Sequence, residues 1–277
     1  VTVYGRIYPI KQINAPQAQR DFLVGLAQVI PANVRPILVT DAGFRSDWFR
    51  AVASHGWDYV GRVRNNVKVR KSPESPWFAC SDLHEKATRR AEDLGQYQIV
   101  KGQPWACRLM RIRRKRKGRG QLTRAGKPQC GTDTLRHSKS AREPWLLATS
   151  LTSSQSSAAS IAQMYGKRMQ IEESFRDLKS HRYGMGFEDS QTRCSKRLSV
   201  LFLLNMLAGF AAWLFVQGLK RTSMKQDPLA ARPELRGRYS DFRRAVEWLR
   251  MCVWPPPLAK AVRDVIAGGM KMNSIPR

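Results

Sequence analysis

The chain has 277 residues, enough for a substantial hydrophobic core and for one large or two ordinary domains. Its 49 Lys and Arg against 21 Asp and Glu give a formal net charge of +28, which favours a polyanionic partner, nucleic acid ahead of an anionic membrane surface. The five cysteines are odd in number and include no Cys-x2-Cys pair, so the sequence argues against a disulfide framework or a zinc knuckle and fits a reducing cytosol.

The first predicted elements are a strand over residues 1–8 and a helix over residues 14–30. The strand is indicated by β-branched and aromatic residues, and the helix by apolar periodicity between an Asn14 cap with Pro16 in the first turn and the breaker Pro31. The chain shows no signal peptide and starts with this strand-like run, not with Met. We therefore expect it to begin inside a longer protein.

Residues 35–40 form an almost wholly apolar run that is followed directly by Asp41. This pattern is typical of a buried parallel strand with an acid at its carboxyl end. Open α/β sheets bind ligands at the carboxyl ends of their strands, which makes Asp41 a candidate site residue. The structural alternative is that Asp41 caps the next predicted helix, residues 46–54.

Another strand is predicted at residues 57–64, followed up to about Pro144 by short apolar runs that alternate with turn residues. Within this β-rich region the basic run 111–119 would extend a positive surface, or would form a solvated loop. A further strand is predicted at residues 144–151.

If residues 164–179 form one helix, four functional side chains share an arc of roughly 60° on its surface. These are Tyr165, Arg168, Glu172 and Lys179. An apolar face lies beside them and is predicted to be buried, formed by Met164, Ile171, Phe175 and Leu178. The alternative is a solvated helix face with ordinary charge pairs.

The spacing Tyr-x2-Arg-x3-Glu-x6-Lys resembles the signature of bacterial insertion-sequence transposases of the hairpin-forming IS-four family. The run 167–180 is most similar to the ten-type transposon subgroup of that family. The resemblance implies an α/β, ribonuclease-H-like catalytic core of the DDE class, with an all-β insertion and a helical C-terminal segment. It also implies cut-and-paste transposition by nicking, hairpin formation and strand transfer.

The resemblance assigns a role to each candidate residue. Asp41 and Glu172 are the second and third metal-binding carboxylates for two Mg²⁺ ions, for which Mn²⁺ could substitute, and carboxylate oxygen suits such hard cations. The side chains of Tyr165, Arg168 and Lys179 hold the phosphates of the DNA end. Trp145 stacks on a base flipped out of that end, although an unaided interpretation would place it in the core.

The same resemblance divides the chain into four parts: 1–64, the first part of the core; 65–143, the basic β-rich insertion; 144–221, the second part of the core; and 222–277, the C-terminal helical segment. The apolar run 198–219 is nearly long enough to span a bilayer, but we expect a buried core helix there. Helical pieces are predicted at 239–251 and 258–266. The expected partners are double-stranded DNA and further transposase molecules, in a bacterial cytoplasm, with no membrane.

The first catalytic Asp of the family has no counterpart in these residues, because Asp21, Asp47 and Asp58 lie in unmatched contexts. We expect that Asp upstream of Val1, so that the chain alone would be inactive. Two alternatives are a DNA-binding but inactive remnant of a transposase and a basic protein anchored to a membrane by residues 198–219.

Overall fold

A computed structural model describes residues 2, 4–12, 15–64, 66–114, 143–181, 184–221, 240–250 and 258–269. The chain forms two compact units, one of Gln12–Arg168 and the other of Val1–Lys11 with Met169–Arg277. The first unit is a mixed α/β structure. The described secondary-structure elements of the second unit are all helical, either α or 3-10. The four-part division predicted from the sequence stays a prediction.

The described residues of the first unit form seven strands and three α-helices, in the order α1 (Pro16–Ala27), β1 (Ile37–Thr40), α2 (Ser46–Ser54), β2 (Asp58–Val63), β3 (Lys68–Arg70), β4 (Phe78–Ala79), β5 (Glu92–Ile99), β6 (Trp105–Ile112), β7 (Trp145–Thr149) and α3 (Ala158–Gly166). A 3-10 turn, Cys80–His84, follows β4. The predicted helices near residues 14–30 and 46–54 are confirmed, as are the strands near 35–40, 57–64 and 144–151.

The strands form one sheet in the order β1-β2-β7-β6-β5-β3-β4. Strands β1 and β2 run parallel, with Ile37 opposite Asp58 and Thr40 opposite Gly61, and every other described pair is antiparallel. The β-rich excursion between β2 and β7 therefore extends the same sheet outward from β7.

One hydrophobic cluster of this unit lies between the middle of the sheet and α3. Its buried residues are Val60, Met110, Leu147, Leu151, Ile161 and Tyr165. Full burial of one such aliphatic side chain contributes about 1.5–3 kcal/mol, so this cluster fixes α3 on the sheet. The start of α3 is capped by Ser157, whose Oγ accepts from the backbone N–H of Ser160 at 3.2 Å.

In the second unit the described helices are α4 (Met169–Lys179), α5 (Ser195–Arg221), α6 (Asp241–Arg250) and α7 (Leu258–Gly269), with 3-10 turns at Ile10–Gln12 and Phe187–Ser190. The C-terminal part of α5 packs against α6 through Phe215, Val216, Leu219, Ala245 and Trp248. The helices predicted near 198–219, 239–251 and 258–266 are confirmed.

The prediction that residues 198–219 form a buried helix is wrong for the first half of α5. Five large apolar side chains there are 43–58% exposed, namely Val200, Leu203, Leu204, Leu207 and Phe210. By length and composition alone α5 could cross a membrane, which is weak evidence because core helices and signal sequences pass the same test.

Two further predictions are corrected. The described residues among 1–8 form no strand, because β-branched composition yields a strand only where a neighbour supplies the ladder of hydrogen bonds. Strand β1 is only half-buried apart from Thr40, because among the described strands it pairs with β2 alone and forms the edge of the sheet.

Candidate active site

Asp41 follows β1 directly and its side chain is exposed at the carboxyl end of that strand. Its Oδ1 accepts a hydrogen bond from the backbone N–H of Gly43 at 2.8 Å, which holds the carboxylate within its own turn. The N-cap of α2 is Arg45 and no side chain caps that helix, so the alternative role of Asp41 as a helix cap is not observed.

Asp58, by contrast, is a structural acid. It is 3% exposed and opens β2, at the opposite end of the parallel pair from Asp41. Its Oδ1 accepts from Ser150 Oγ at 2.7 Å and from Arg35 Nη2 at 3.1 Å, and Arg35 Nε lies 2.8 Å from Oδ2. These three donors explain its burial.

The predicted single helix over residues 164–179 is wrong. Helix α3 ends at Gly166, and α4 begins at Met169. The backbone N–H groups of Lys167 and Arg168 bond three residues back, to Met164 and Tyr165, each at 3.1 Å. Glycine lowers helix stability by about 1 kcal/mol relative to alanine, which favours an interruption here. Tyr165 and Arg168 therefore belong to the first unit, and Glu172 and Lys179 to the second.

Trp145 and Tyr165 form an aromatic pair at the edge of the core. Their ring centroids are 4.8 Å apart at an interplanar angle of 74°. The guanidinium of Arg114 lies 5.2 Å from the Trp145 ring centre and that of Arg168 lies 5.9 Å from the Tyr165 ring centre. Trp145 is half-buried and packs against the hydrophobic cluster that includes Tyr165.

Tyr165 is 3% exposed, yet its hydroxyl lies among charges. Burial raises the pKa of this hydroxyl and Asp41 acts in the same direction, whereas the cations Arg62 and Arg168 lower it. Burial also lowers the pKa of Arg62, and the neighbouring Tyr165, which shares a side-chain hydrogen bond with it, opposes that shift. Tyr165 thus contacts Arg62 and Arg168 and is within electrostatic reach of Asp41.

Arg62 and Arg64 were not identified as site residues from the sequence. Both lie at the end of β2, and Glu143 just before β7 faces them, with its Oε2 2.9 Å from Arg64 and 3.7 Å from Arg62. The signal was available, because arginines two residues apart on a strand point to the same face of the sheet.

The basic run 111–119 begins with two arginines that make structural contacts within the first unit. Arg111 lies in β6, is 7% exposed and forms a bidentate pair with Glu92 at 2.9 and 3.0 Å. Arg113 donates to the backbone carbonyls of His84 and Ala87, each at 3.1 Å. These two arginines are structural, and residues 115–119 lie outside the described residues.

In the second unit, Glu172 lies in the first turn of α4 and is exposed. Lys179 lies in the last turn, where its Nζ is 3.0 Å from Glu188 Oε1 in an exposed ion pair. The predicted burial of the apolar face of α4 is wrong, since Ile171 and Phe175 are 52% and 50% exposed.

The described residues contain no cluster of three or more His, Cys, Asp or Glu side chains that could hold a metal ion. Asp41 and Glu172 are nevertheless exposed carboxylates, the ligand type that hard divalent cations prefer. Their chemistry fits Mg²⁺.

The first unit carries an exposed carboxylate at the end of a strand and an aromatic pair with arginines close to its rings. These side chains suit a protein that acts on a nucleic-acid backbone. Over residues 12–209, more than half of its length, the chain matches the family described as the transposase DDE domain. It belongs to that family, and its general activity is DNA transposition by nuclease and strand-transfer chemistry. No curated protein matches the chain.

The environments of Asp58 and Asp41 predict that their replacement will change the stability of the fold by different amounts. Replacing Asp58 by Ala should destabilise the fold by about 2–3 kcal/mol, because it removes a charged acceptor from buried donors. Asp41→Ala should leave the free energy of unfolding within about 0.5 kcal/mol of wild type, since the side chain is exposed. Urea denaturation checks both values. A large loss of stability with Asp41→Ala would show that this acid has a structural role.

Proposed function

We propose that the chain functions in cut-and-paste transposition as a member of the hairpin-forming IS-four family, with a ribonuclease-H-like core, and that catalysis needs a further Asp besides Asp41 and Glu172. The observation that supports this most is that one unit carries Asp41, Arg62, Trp145, Tyr165 and Arg168. These residues supply a carboxylate that suits a metal ion, guanidinium groups that can donate hydrogen bonds to phosphate, and an aromatic surface. The net charge of +28 supports a DNA partner. DDE transposases act as oligomers, and we expect self-association on the DNA ends.

Asp41 and Glu172 would hold the divalent cations, which we take to be Mg²⁺. Two such cations, when bound, activate water or a 3′-hydroxyl and stabilise both the attacking and the leaving oxygens at phosphorus. The backbone N–H of Gly43 orients the Asp41 carboxylate before DNA binds. Arg168 and Lys179 would hold the phosphates of the DNA end, which fixes the scissile bond relative to the two acids.

The two acids can be tested in a protein that supplies the first catalytic Asp as well as these two, on a duplex that carries the element's terminal repeat and flanking donor DNA. Asp41→Ala and Glu172→Ala should each lower Mg²⁺-dependent nicking by about a thousandfold or more, which corresponds to several kcal/mol of transition-state stabilisation. DNA affinity should stay within about twofold, because the acids act on the chemical step.

Asp47→Ala is the matched control, since Asp47 is an exposed acid in the first turn of α2. It should nick at the wild-type rate. Normal nicking by Glu172→Ala would contradict the proposed ligand set.

Arg168 and Lys179 can be tested through the salt dependence of DNA binding. Each Ala substitution should reduce the slope of log affinity against log salt by about 0.9, the value for one lost phosphate contact. The exposed Lys179–Glu188 pair is no obstacle, because such pairs contribute about 0–1 kcal/mol.

The control is Lys220→Ala, which removes an exposed lysine paired with Asp241 at 3.5 Å. It should leave the slope unchanged, as measured by fluorescence anisotropy across a KCl series. Unchanged slopes for Arg168→Ala and Lys179→Ala would show that these residues do not contact DNA.

Trp145 is proposed to act after the first nick. Folding a cut end back on itself strains the terminal nucleotides, and stacking of one displaced base on an aromatic ring recovers about 1–3 kcal/mol. Trp145→Ala should nick at the wild-type rate and form hairpins about 10–100-fold more slowly, as gel assays of each step would measure. An abasic nucleotide at the displaced position should partly restore the rate. Equal loss of both steps, with a lowered melting temperature, would identify Trp145 as a core residue only.

A further inference from the structure

Glu143, Arg62 and Arg64 form an ion-pair cluster where β2 ends and β7 begins. The Glu143 side chain is 31% exposed, and those of Arg62 and Arg64 are 13% and 20% exposed. A single carboxylate oxygen faces both guanidinium groups. The same charges and Arg113 act on His84, where burial and the arginines lower the pKa of the imidazole and Glu143 opposes them. Two arginines face one carboxylate, so the cluster carries an excess of positive charge.

The hydrogen bonds of this cluster are incomplete. Nε and Nη2 of Arg62, Nε of Arg64 and Oε2 of Glu143 are buried atoms without a hydrogen-bond partner among the described residues. The 2.9 Å approach of Arg64 to Glu143 is therefore an ion-pair contact that lacks hydrogen-bond direction. An unsatisfied buried donor on a cation is costly, so the carboxylate is a poor match for these two side chains.

Two other arginines of the same unit are matched well. Arg108 donates from Nε and Nη2 to Asp93 at 3.0 and 2.6 Å, and from Nη1 to two backbone carbonyls. Arg111 forms the bidentate pair with Glu92. The sheet therefore satisfies its structural arginines, and the unsatisfied pair is the one beside Tyr165 and Trp145.

A phosphate group fits the vacant donors better than the carboxylate does. Its oxygens are arranged tetrahedrally and can accept from two guanidinium forks at once. Arg62 already contacts Tyr165, and Glu143 precedes Trp145 by two residues, so an anion bound here would lie next to the aromatic pair.

We propose that Glu143 is an internal counter-ion that occupies the place of a DNA phosphate between Arg62 and Arg64, and that a backbone phosphate of bound DNA displaces it. The inference rests on the proposed DNA-binding function. Displacement is feasible because the carboxylate is partly exposed and makes no directed hydrogen bond through Oε2. Glu143 thus limits the affinity for DNA and, when no DNA is bound, offsets part of the positive charge of the two half-buried arginines.

The test is binding of the full 277-residue chain to a labelled 30-base-pair duplex of arbitrary sequence, measured by anisotropy over a KCl series. Glu143→Gln removes the competing charge, so affinity at each salt concentration should rise about five- to tenfold. Adding Arg64→Ala to this variant should abolish the gain and reduce the salt slope by about 0.9.

Glu92→Gln is the matched control, because it makes the same change in net charge at a bidentate pair. It should change affinity by less than about twofold. A Glu143→Gln gain no larger than that of Glu92→Gln, or weaker binding, would overturn the counter-ion role.

Arg64→Ala in the wild-type background keeps the test decisive if Glu143→Gln does not fold. It should weaken DNA binding and lower the salt slope by about 0.9, whereas an arginine that serves only Glu143 would leave the slope unchanged. Failure of the wild-type chain to bind duplex would contradict the proposed function itself. Normal wild-type binding without these effects would contradict only the counter-ion inference.

Discussion

The candidate site depends on the pairing of β7 with β2 in the middle of the sheet. Ser150, which follows β7, donates to Asp58 at the start of β2 although the two residues are 92 positions apart. Thr149 Oγ1 adds a buried hydrogen bond to the backbone carbonyl of Tyr59 at 2.8 Å. These contacts fix the register, and a slip by one residue would turn every side chain of β7 to the other face. Trp145 would then leave the side of Tyr165.

The same pairing determines the electrostatics. Because β7 runs antiparallel to β2, its beginning lies beside the end of β2, which brings Glu143 to Arg62 and Arg64. The sheet carries two kinds of half-buried or buried arginine: Arg108 and Arg111 are fully paired, whereas the pair at the end of β2 is not. In a strongly basic protein this difference separates cations that hold the fold from cations that are suited to a polyanion.

The interruption at Gly166 gives the Tyr-x2-Arg-x3-Glu-x6-Lys spacing a different meaning from a single helical stripe. Tyr165 is anchored in the core of the first unit, and Arg168 stays with it through the turn. Glu172 and Lys179 belong to a helix that buries none of its residues. Tyr165 and Arg168 are therefore held by a different packing arrangement from Glu172 and Lys179, so the two halves of the spacing can be altered independently by mutation.

Several features were decided by the sequence itself. Short-range periodicity and turn residues predict the strand before Asp41, the helix Ser46–Ser54 and the strand that begins at Trp145. All three elements are present in the structure. The charge balance and the spaced Tyr, Arg, Glu and Lys likewise led to the transposase family without knowledge of the fold.

Other features were decided only by the tertiary structure. Local patterns did not show that Asp58 is satisfied by Ser150, that Arg111 points inward, or that α4 and the first half of α5 stay exposed. The partnership of Glu143 with Arg62 and Arg64 was equally hidden, because it joins residues about 80 positions apart. Burial and ion pairing depend on which strand lies next to which, and that choice is made by the free energy of the whole sheet and not by any one segment.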